Sequence, residues 1–362
     1  MSSYLKVVVV GLGNIGSHLV PHLARLYSDV KRITLIDPDS YDATNMVSQE
    51  IGWDDVGRPK VEVQARRLRG LHRGLRVRTW RSRVQDVPLG RLRADAIFGC
   101  LDTREARRWL NQAAWRLGIP LLDAGVRADG LLARVDVFVP GSPDAPCLEC
   151  AWSDADYEQL EVTYACGAAP TTATGAPSAL GALAASLQAL EFGKLARGEF
   201  ETLAADRRVM VDARHHTQTV TRITRNPKCR FDHQAWHILD LGRTPAEFKL
   251  ADLAIPRGNR GVNVTLAERP FATRLRCADC GSTEEYLCLA DRIPQKKRTC
   301  ATCGGETITP GFDLRAALGV DDAPAAVLER SLLSLGLRSG DVFAFNAVFD
   351  GDSQAPVHYE LP

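Results

Sequence analysis

The stretch Lys6-Val-Val-Val-Val-Gly11-Leu-Gly13-Asn14-Ile-Gly16-Ser-His-Leu-Val20 decides the fold. A short, β-branched apolar run ends at Gly11, and the three glycines spell G-x-G-x-x-G. Ser17 to Leu26 then has the make-up of a helix. This is the pattern of a buried parallel strand turning into a helix N-terminus. The first glycine permits the tight turn, the second lets backbone approach a phosphate, and the third lets the helix pack closely on the strand. The helix dipole and its free N–H groups favour an anion there. Asp37, 21 residues after Gly16, closes a second apolar run, Arg32-Ile-Thr-Leu-Ile-Asp37. An acid in that place accepts hydrogen bonds from a ribose. The motif alone does not choose between NAD and ATP.

Working outward, the 362 residues suit one large domain and a smaller one, or two to three modules. A net charge of +1 gives no electrostatic case for a nucleic-acid partner. No apolar run reaches membrane-spanning length, so no membrane association is expected. The first apolar run is too short, and too soon followed by glycines, for a signal peptide. A cytoplasmic protein is the expectation. Ten cysteines include three C-x-x-C pairs, Cys147/Cys150, Cys277/Cys280 and Cys300/Cys303. In a reducing compartment such spacing means metal more often than disulfide.

Past Asp37, a polar stretch carries Asp39, Asp42 and Asn45, where open α/β sheets bind ligands. Val61 to Leu71 has helical make-up with Lys60 near its start. A lysine there reaches nucleotide phosphates or is a solvated surface side chain. Asp95 to Leu101 is an apolar run ending at Asp102. That acid suits Mg²⁺ on a triphosphate, the cap of a helix over Arg104 to Leu117, or both. Leu75 to Val84, Ile119 to Asp123 and Leu131 to Val139 are further expected strands. The order is βαβα with right-handed crossovers, an α/β class.

Pro146-Cys147-Leu148-Glu149-Cys150 then has the spacing of a zinc knuckle. A small-residue stretch from Thr163 to Gly175 holds Cys166, and a helix is expected from Pro177 to about Leu195. Val209–Asp212 and Thr217–Ile223 suggest a hairpin, followed by a Cys229-x3-His233 pair. Cys166 lies outside any apolar run, has no partner at metal spacing and precedes a helix start, as a reactive thiol needs. The alternative is a small buried residue. Cys100 is expected in a buried strand and Cys288 as apolar filler. Pro256, Gly258, Asn259 and Gly261 mark 241–270 as a linker. Cys277-x2-Cys280-x19-Cys300-x2-Cys303 is the spacing of a four-cysteine zinc ribbon. Its arm ends in a basic tip, Lys296, Lys297 and Arg298. The remainder suggests a helix over Ala323 to Leu335 and strands over Asp341 to Val348 and Val357 to Leu361.

Gly11, Gly13, Gly16, Asp37, Asn45, Lys60, Asp102, the Cys147/Cys150 pair and the small-residue helix, in this order, resemble one family. It is that of the enzymes activating ubiquitin-like proteins, together with the bacterial ThiF/MoeB-type adenylyltransferases. The resemblance spans 1–240. Around Cys166 the Cys-Gly-Ala-Ala-Pro-Thr-Thr run is most similar to the activating enzyme of the ubiquitin-fold modifier pathway. The implied fold is a doubly wound, mainly parallel Rossmann-like sheet, an adenylation domain over 1–240. To it are added the linker, the zinc ribbon at 271–308 and a small α/β tail at 309–362.

The resemblance implies a reaction and its parts. ATP with Mg²⁺ meets the C-terminal carboxylate of a ubiquitin-like β-grasp protein. Gly11, Gly13, Asn14 and Gly16 lie along the nucleotide, Asp37 takes the ribose, and Asp39 and Asn45 line the ligand loop. Lys60 neutralises phosphate charge and Asp102 holds Mg²⁺. Cys166 then attacks the acyl-adenylate and forms a thioester for transfer to a conjugating enzyme. Members of the family bind zinc with a C-x-x-C and a later pair, which places Zn²⁺ on Cys147, Cys150, Cys229 and His233. A second Zn²⁺ belongs to the ribbon, and a symmetric homodimer is implied. One departure stands out: the usual Asn-x-x-Arg pattern ends here at Ser48, leaving Arg58, Arg104 or Arg107 as substitutes. Two alternatives remain, a sulfur-carrier adenylyltransferase and a non-catalytic scaffold. An NAD-dependent dehydrogenase leaves the C-x-x-C pairs, Lys60 and the Cys166 stretch unexplained.

Overall fold

The computed structural model describes residues 4–26, 29–161, 175–254, 263–266, 269–319, 325–346, 348–349, 352–353 and 357–362. Two compact units emerge: 1–87 with 92–235, and 88–91 with 236–362.

The first unit is an eight-stranded sheet. Its strands are β1 (Leu5–Val10), β2 (Val30–Ile36), β3 (Arg76–Trp80), β4 (Ala96–Gly99), β5 (Leu121–Arg127), β6 (Leu132–Phe138), β7 (Arg207–Asp212) and β8 (Thr217–Arg222). The helices are α1 (Asn14–Leu26), α2 (Lys60–Leu71), α3 (Arg104–Arg116), α4 (Asp154–Glu161) and α5 (Ser178–Arg197). The strand order is β3-β2-β1-β4-β5-β6-β7-β8. The first five run parallel and the last three pair antiparallel. The doubly wound, mainly parallel expectation therefore holds, and the order reverses direction between β1 and β4.

β1 shows why the run is a strand. Val7 and Val9 join a core shared with Leu19 and Leu23 of α1, Val61 and Leu68 of α2, and Ala184 and Ala185 of α5. Val8 and Val10 point to the opposite face and are as deeply buried. A strand covered on both faces has to be continuously apolar. α3 lies against β4 and β5. β6 departs from the expected crossover: it returns from β5 as a hairpin, with Leu131 at φ 48° in the turn. β3 is shorter than the expected Leu75 to Val84.

In the second unit, Phe271–Cys277 pairs with Thr283–Leu289, Thr307–Ile308 and Leu314–Arg315. A five-stranded sheet has the order Leu318–Gly319, Asn263–Leu266, Val342–Asn346, Val357–Glu360, Ile238–Asp240. It corrects the linker expectation for 241–270. Phe248, Leu250, Val264 and Leu266 lie in that range, and all four are buried in one core with Phe343 and Leu361. Scattered among prolines and glycines, they show no period. The helix expected over Ala323 to Leu335 is instead one turn at Ala325–Leu328 and a 3-10 turn at Leu332–Leu335. Gly336, at φ 91°, closes that second turn.

Candidate functional site

The site grows from the point where strand order reverses, at the C-terminal ends of β1 and β4, the place where open α/β sheets hold ligands. Gly11 adopts φ 88°, and a Cβ there would lie 2.3 Å from the Cys100 carbonyl oxygen. A Cβ on Gly16 would lie 1.9 Å from the Gly11 carbonyl oxygen. Both positions need glycine for packing. Gly13 differs: its Cβ would meet nothing nearer than Gln49 Nε2 at 4.0 Å. The second glycine thus faces room, which is what a nucleotide phosphate approaching the backbone requires.

Asp37 is buried and holds the loop. Its Oδ2 accepts the Leu12 N–H at 2.7 Å and its Oδ1 accepts the Asp39 N–H at 2.9 Å. Burial pushes its carboxyl above the ordinary range, against the pull of Lys60 and the two N–H donors. The Tyr41 hydroxyl donates to Leu12 O at 2.8 Å and accepts from Gln64 at 2.8 Å. Lys60 opens α2 and is only 8% exposed, which removes the solvated-surface reading. Its Nζ lies 3.3 Å from Asp39 Oδ2. Leu12, Asp37, Asp39 and Lys60 thus form one connected chain beside the glycine turn.

Asp102 is exposed just past β4, and among the described residues no hydrogen bond or ion pair engages its carboxylate. The helix cap falls to Thr103 instead, whose side chain accepts the Ala106 N–H. Asn45 is used locally: its Oδ1 accepts the Asp42 N–H, reciprocating the Asp42 cap of a 3-10 turn. Asn14 turns towards α5, donating to Ala176 O at 2.9 Å and lying where a Cβ of Gly181 would be. Of the proposed substitutes at Ser48, Arg104 pairs with Asp156, Arg107 pairs with Asp123, and Arg58 donates to Asp54 O. Cys166 lies outside the described residues.

Cys147, Cys150, Cys229 and His233 converge, their ligand atoms within 4.8 Å of one another. Cys147 Sγ lies 4.0 Å from Cys150 Sγ and 3.8 Å from Cys229 Sγ. Zn–S bonds of about 2.3 Å at tetrahedral angles put sulfurs about 3.8 Å apart, so the donor set fits zinc. His233 presents Nε2, because its Nδ1 bonds Phe231 O at 2.7 Å. α3 supports the knuckle. Asn111 Oδ1 accepts the Leu148 N–H, and Asn111, Gln112 and Tyr157 all donate to the buried Glu149. Arg116 grips Asp232 on the loop carrying Cys229 and His233. No sequence pattern marks these supports, because they join residues far apart in the chain.

In the second unit, Cys277, Cys280, Cys300 and Cys303 form a second such group. Cys277–Cys303 and Cys280–Cys300 stand at 3.5 and 3.8 Å, and Ser282 Oγ lies 3.2 Å from both Cys280 and Cys300 sulfurs.

A glycine turn at the switch point, a buried lysine tied to it and a knuckle at 147–150 make one recognisable set, and residues 2–231 match the ThiF family. The chain belongs to the ThiF family. Relatives include ubiquitin-like modifier-activating enzyme 5 of Oryza sativa subsp. japonica, 27% identical over 52% of this chain and 49% of the relative. The SAMP-activating enzyme E1 of Haloferax volcanii is 29% identical over 62% of this chain and 78% of its own length. The ThiS adenylyltransferase of Escherichia coli is 28% identical, covering 56% and 76%. This ThiF-family chain spans about half the length of the rice relative. Its fold matches E. coli MccB, solved with ATP, at a TM-score of 0.50 and 26% identity over 62% of this chain and 66% of MccB.

Proposed function

We propose that this chain activates the C-terminal carboxylate of a ubiquitin-like β-grasp protein with ATP. The connected chain Leu12–Asp37–Asp39–Lys60 carries the reading, since it sets a cation and a ribose acceptor beside an open glycine turn. ATP is the substrate. A carboxylate oxygen attacks the α-phosphorus, an acyl–phosphate bond forms, and pyrophosphate leaves. Mg²⁺, when bound, neutralises phosphate charge. Asp102 would hold it; a single protein carboxylate is enough because Mg²⁺ keeps waters and substrate phosphates as its other ligands. Lys60 would offset negative charge on the phosphates, and the N-terminus of α1, just past the glycine turn, would favour an anion. Zinc at the two cysteine groups is structural, since neither group has an open ligand position.

Cys166 is the proposed thiolate that displaces AMP and carries the acyl group as a thioester to a conjugating enzyme. A homodimer working in the cytoplasm completes the proposal. The second reading is a sulfur-carrier adenylyltransferase, supported by likeness to the E. coli ThiS enzyme over 76% of its length. Mass spectrometry after incubation with ATP, Mg²⁺ and candidate glycine-ending carriers tests both. A carrier–AMP adduct supports activation. A thiol-labile adduct that vanishes in Cys166→Ala supports the thioester. Activation that persists in Cys166→Ala, with no thiol-labile adduct in the unmodified chain, supports the sulfur carrier. Absence of ATP–pyrophosphate exchange with every carrier returns the chain to a scaffold, as Ser48 would suit.

A further inference from the structure

Asp123 is 1% exposed in the middle of β5, directly opposite Gly99 of β4. Gly99 makes room for it: a Cβ there would come within 2.7 Å of Asp123 Oδ1. A carboxylate so buried costs several kcal/mol unless it is paired. Two guanidinium groups meet it, Arg107 from α3 and Arg134 from β6, the latter at 3.1 Å. Arg134 also pairs with Asp136, which is fully buried and held by both arms of Arg208 at 2.8 and 2.9 Å. A ladder of alternating charge therefore runs across β7, β6 and β5 to α3.

The ladder ends on backbone. Arg107 bonds Asp123 through Nη1, and its Nη2 donates to the carbonyl oxygen of Leu101. Leu101 immediately precedes Asp102, whose own carboxylate no described residue engages. Both arms of Arg107 are thus occupied and its charge is met by Asp123. That is not the state of an arginine waiting for phosphate.

We infer that Arg107 is the positioning residue for Asp102, fixing the loop between β4 and α3 against the Asp123–Arg134–Asp136–Arg208 ladder. The inference rests on the reading that Asp102 holds the nucleotide's Mg²⁺. A planar fork is needed for this task, because it fixes two partners at once in set directions. A lysine is a point charge on a flexible stem whose three donors rotate, so it does not hold two partners in set directions. Asp123 and Arg134 act further back, by fixing the plane of the Arg107 fork.

The test takes the full chain with ATP as probe and Mg²⁺ as titrant, ATP binding being read by calorimetry with no carrier protein present. Asp102→Ala is the reference and is expected to abolish the gain in ATP affinity that Mg²⁺ brings. Arg107→Met is expected to raise the Mg²⁺ concentration for half-maximal gain by about 10-fold, the scale seen for residues supporting metal ligands. Metal-free ATP affinity stays unchanged. Arg107→Lys shifts the same midpoint, and the near-isosteric Asp123→Asn shifts it less and serves if Arg107→Met does not fold. Weaker metal-free ATP binding with an unmoved Mg²⁺ midpoint would make Arg107 a phosphate ligand and overturn the inference. So would an unmoved midpoint in every Arg107 and Asp123 variant while Asp102→Ala loses the gain. If Asp102→Ala itself keeps the full gain, the metal role of Asp102 falls, and the positioning role falls with it.

Discussion

The carboxylate of Asp37 accepts the backbone N–H of Leu12 at 2.7 Å, across 25 residues of sequence. The acid that closes β2 thereby fixes the glycine turn that closes β1. Its second oxygen takes the Asp39 N–H, and Asp39 in turn faces Lys60. Asp37→Asn offers one acceptor oxygen where two N–H donors converge, and sets an NH₂ against the other donor. A loss of about 1–3 kcal/mol in unfolding free energy is expected, with weakened ATP binding. Chemical denaturation and calorimetry check both. The folded carboxyl is raised above the unfolded value of 3.8, so its contribution is fullest below that pH and declines as pH rises through the folded value. The deficit of Asp37→Asn is therefore expected to be larger at low pH than at neutral pH.

The glycines separate packing from binding. Gly16→Ala drives a methyl into the Gly11 carbonyl, and a cost of about 3 kcal/mol or more is expected. Gly13→Ala meets open space, so its stability should stay within about 0.5 kcal/mol of the parent. ATP affinity should nonetheless drop in Gly13→Ala, because the methyl takes the place of the phosphate. Unchanged ATP affinity in that variant would remove the phosphate from the loop.

Elemental analysis of purified protein is expected to find zinc at two ions per chain, one for each convergent group. His233→Ala and Cys280→Ser should each lose one. Chelator treatment should lower the melting temperature, because ligand convergence and folding are coupled. A full zinc complement in His233→Ala would exclude that histidine as a ligand.

His18, on α1, places Nε2 2.9 Å from Ser178 Oγ at the start of α5. Burial holds its imidazolium below the ordinary 6.5; Glu50 opposes this, and His22 and Arg67 add to it. A base with a depressed folded value contributes stability above 6.5 that is lost as pH falls. His18→Gln should flatten the stability profile below pH 6.5, with His22, shifted the same way, supplying the remaining slope. An identical slope in parent and variant would show that His18 binds its proton equally in the folded and unfolded chain, with no depression by burial.

How much the sequence revealed depends on how local each signal is. The G-x-G-x-x-G run, the acid closing β2, the cysteine pairs and the apolar runs of β1, β2 and β4 are contiguous patterns with fixed periods, and they give the doubly wound class directly. The β5–β6 hairpin was harder, because a strand run does not state its direction. The 241–270 range failed as a linker because Phe248, Leu250, Val264 and Leu266 sit among residues typical of loops. Lys60 was open from sequence, since the same residue at a helix start is either solvated or buried. Asp123 and Asp136 gave no signal at all: one acid in an apolar strand has no partner in the line of text.

By itself the sequence determined the strand–turn–helix that starts the fold, the acid that follows it and the residues that converge in the two cysteine-containing groups. These depend on spacing along one chain, where glycine's missing Cβ and the paired thiols act over a few residues. Only the tertiary structure decided that Thr103 caps α3, that Lys60 is buried against Asp39, and that Arg107 is bound to Asp123 and Leu101. Charge pairing across strands is fixed by which edges the sheet brings together. That depends on the packing of all its elements at once.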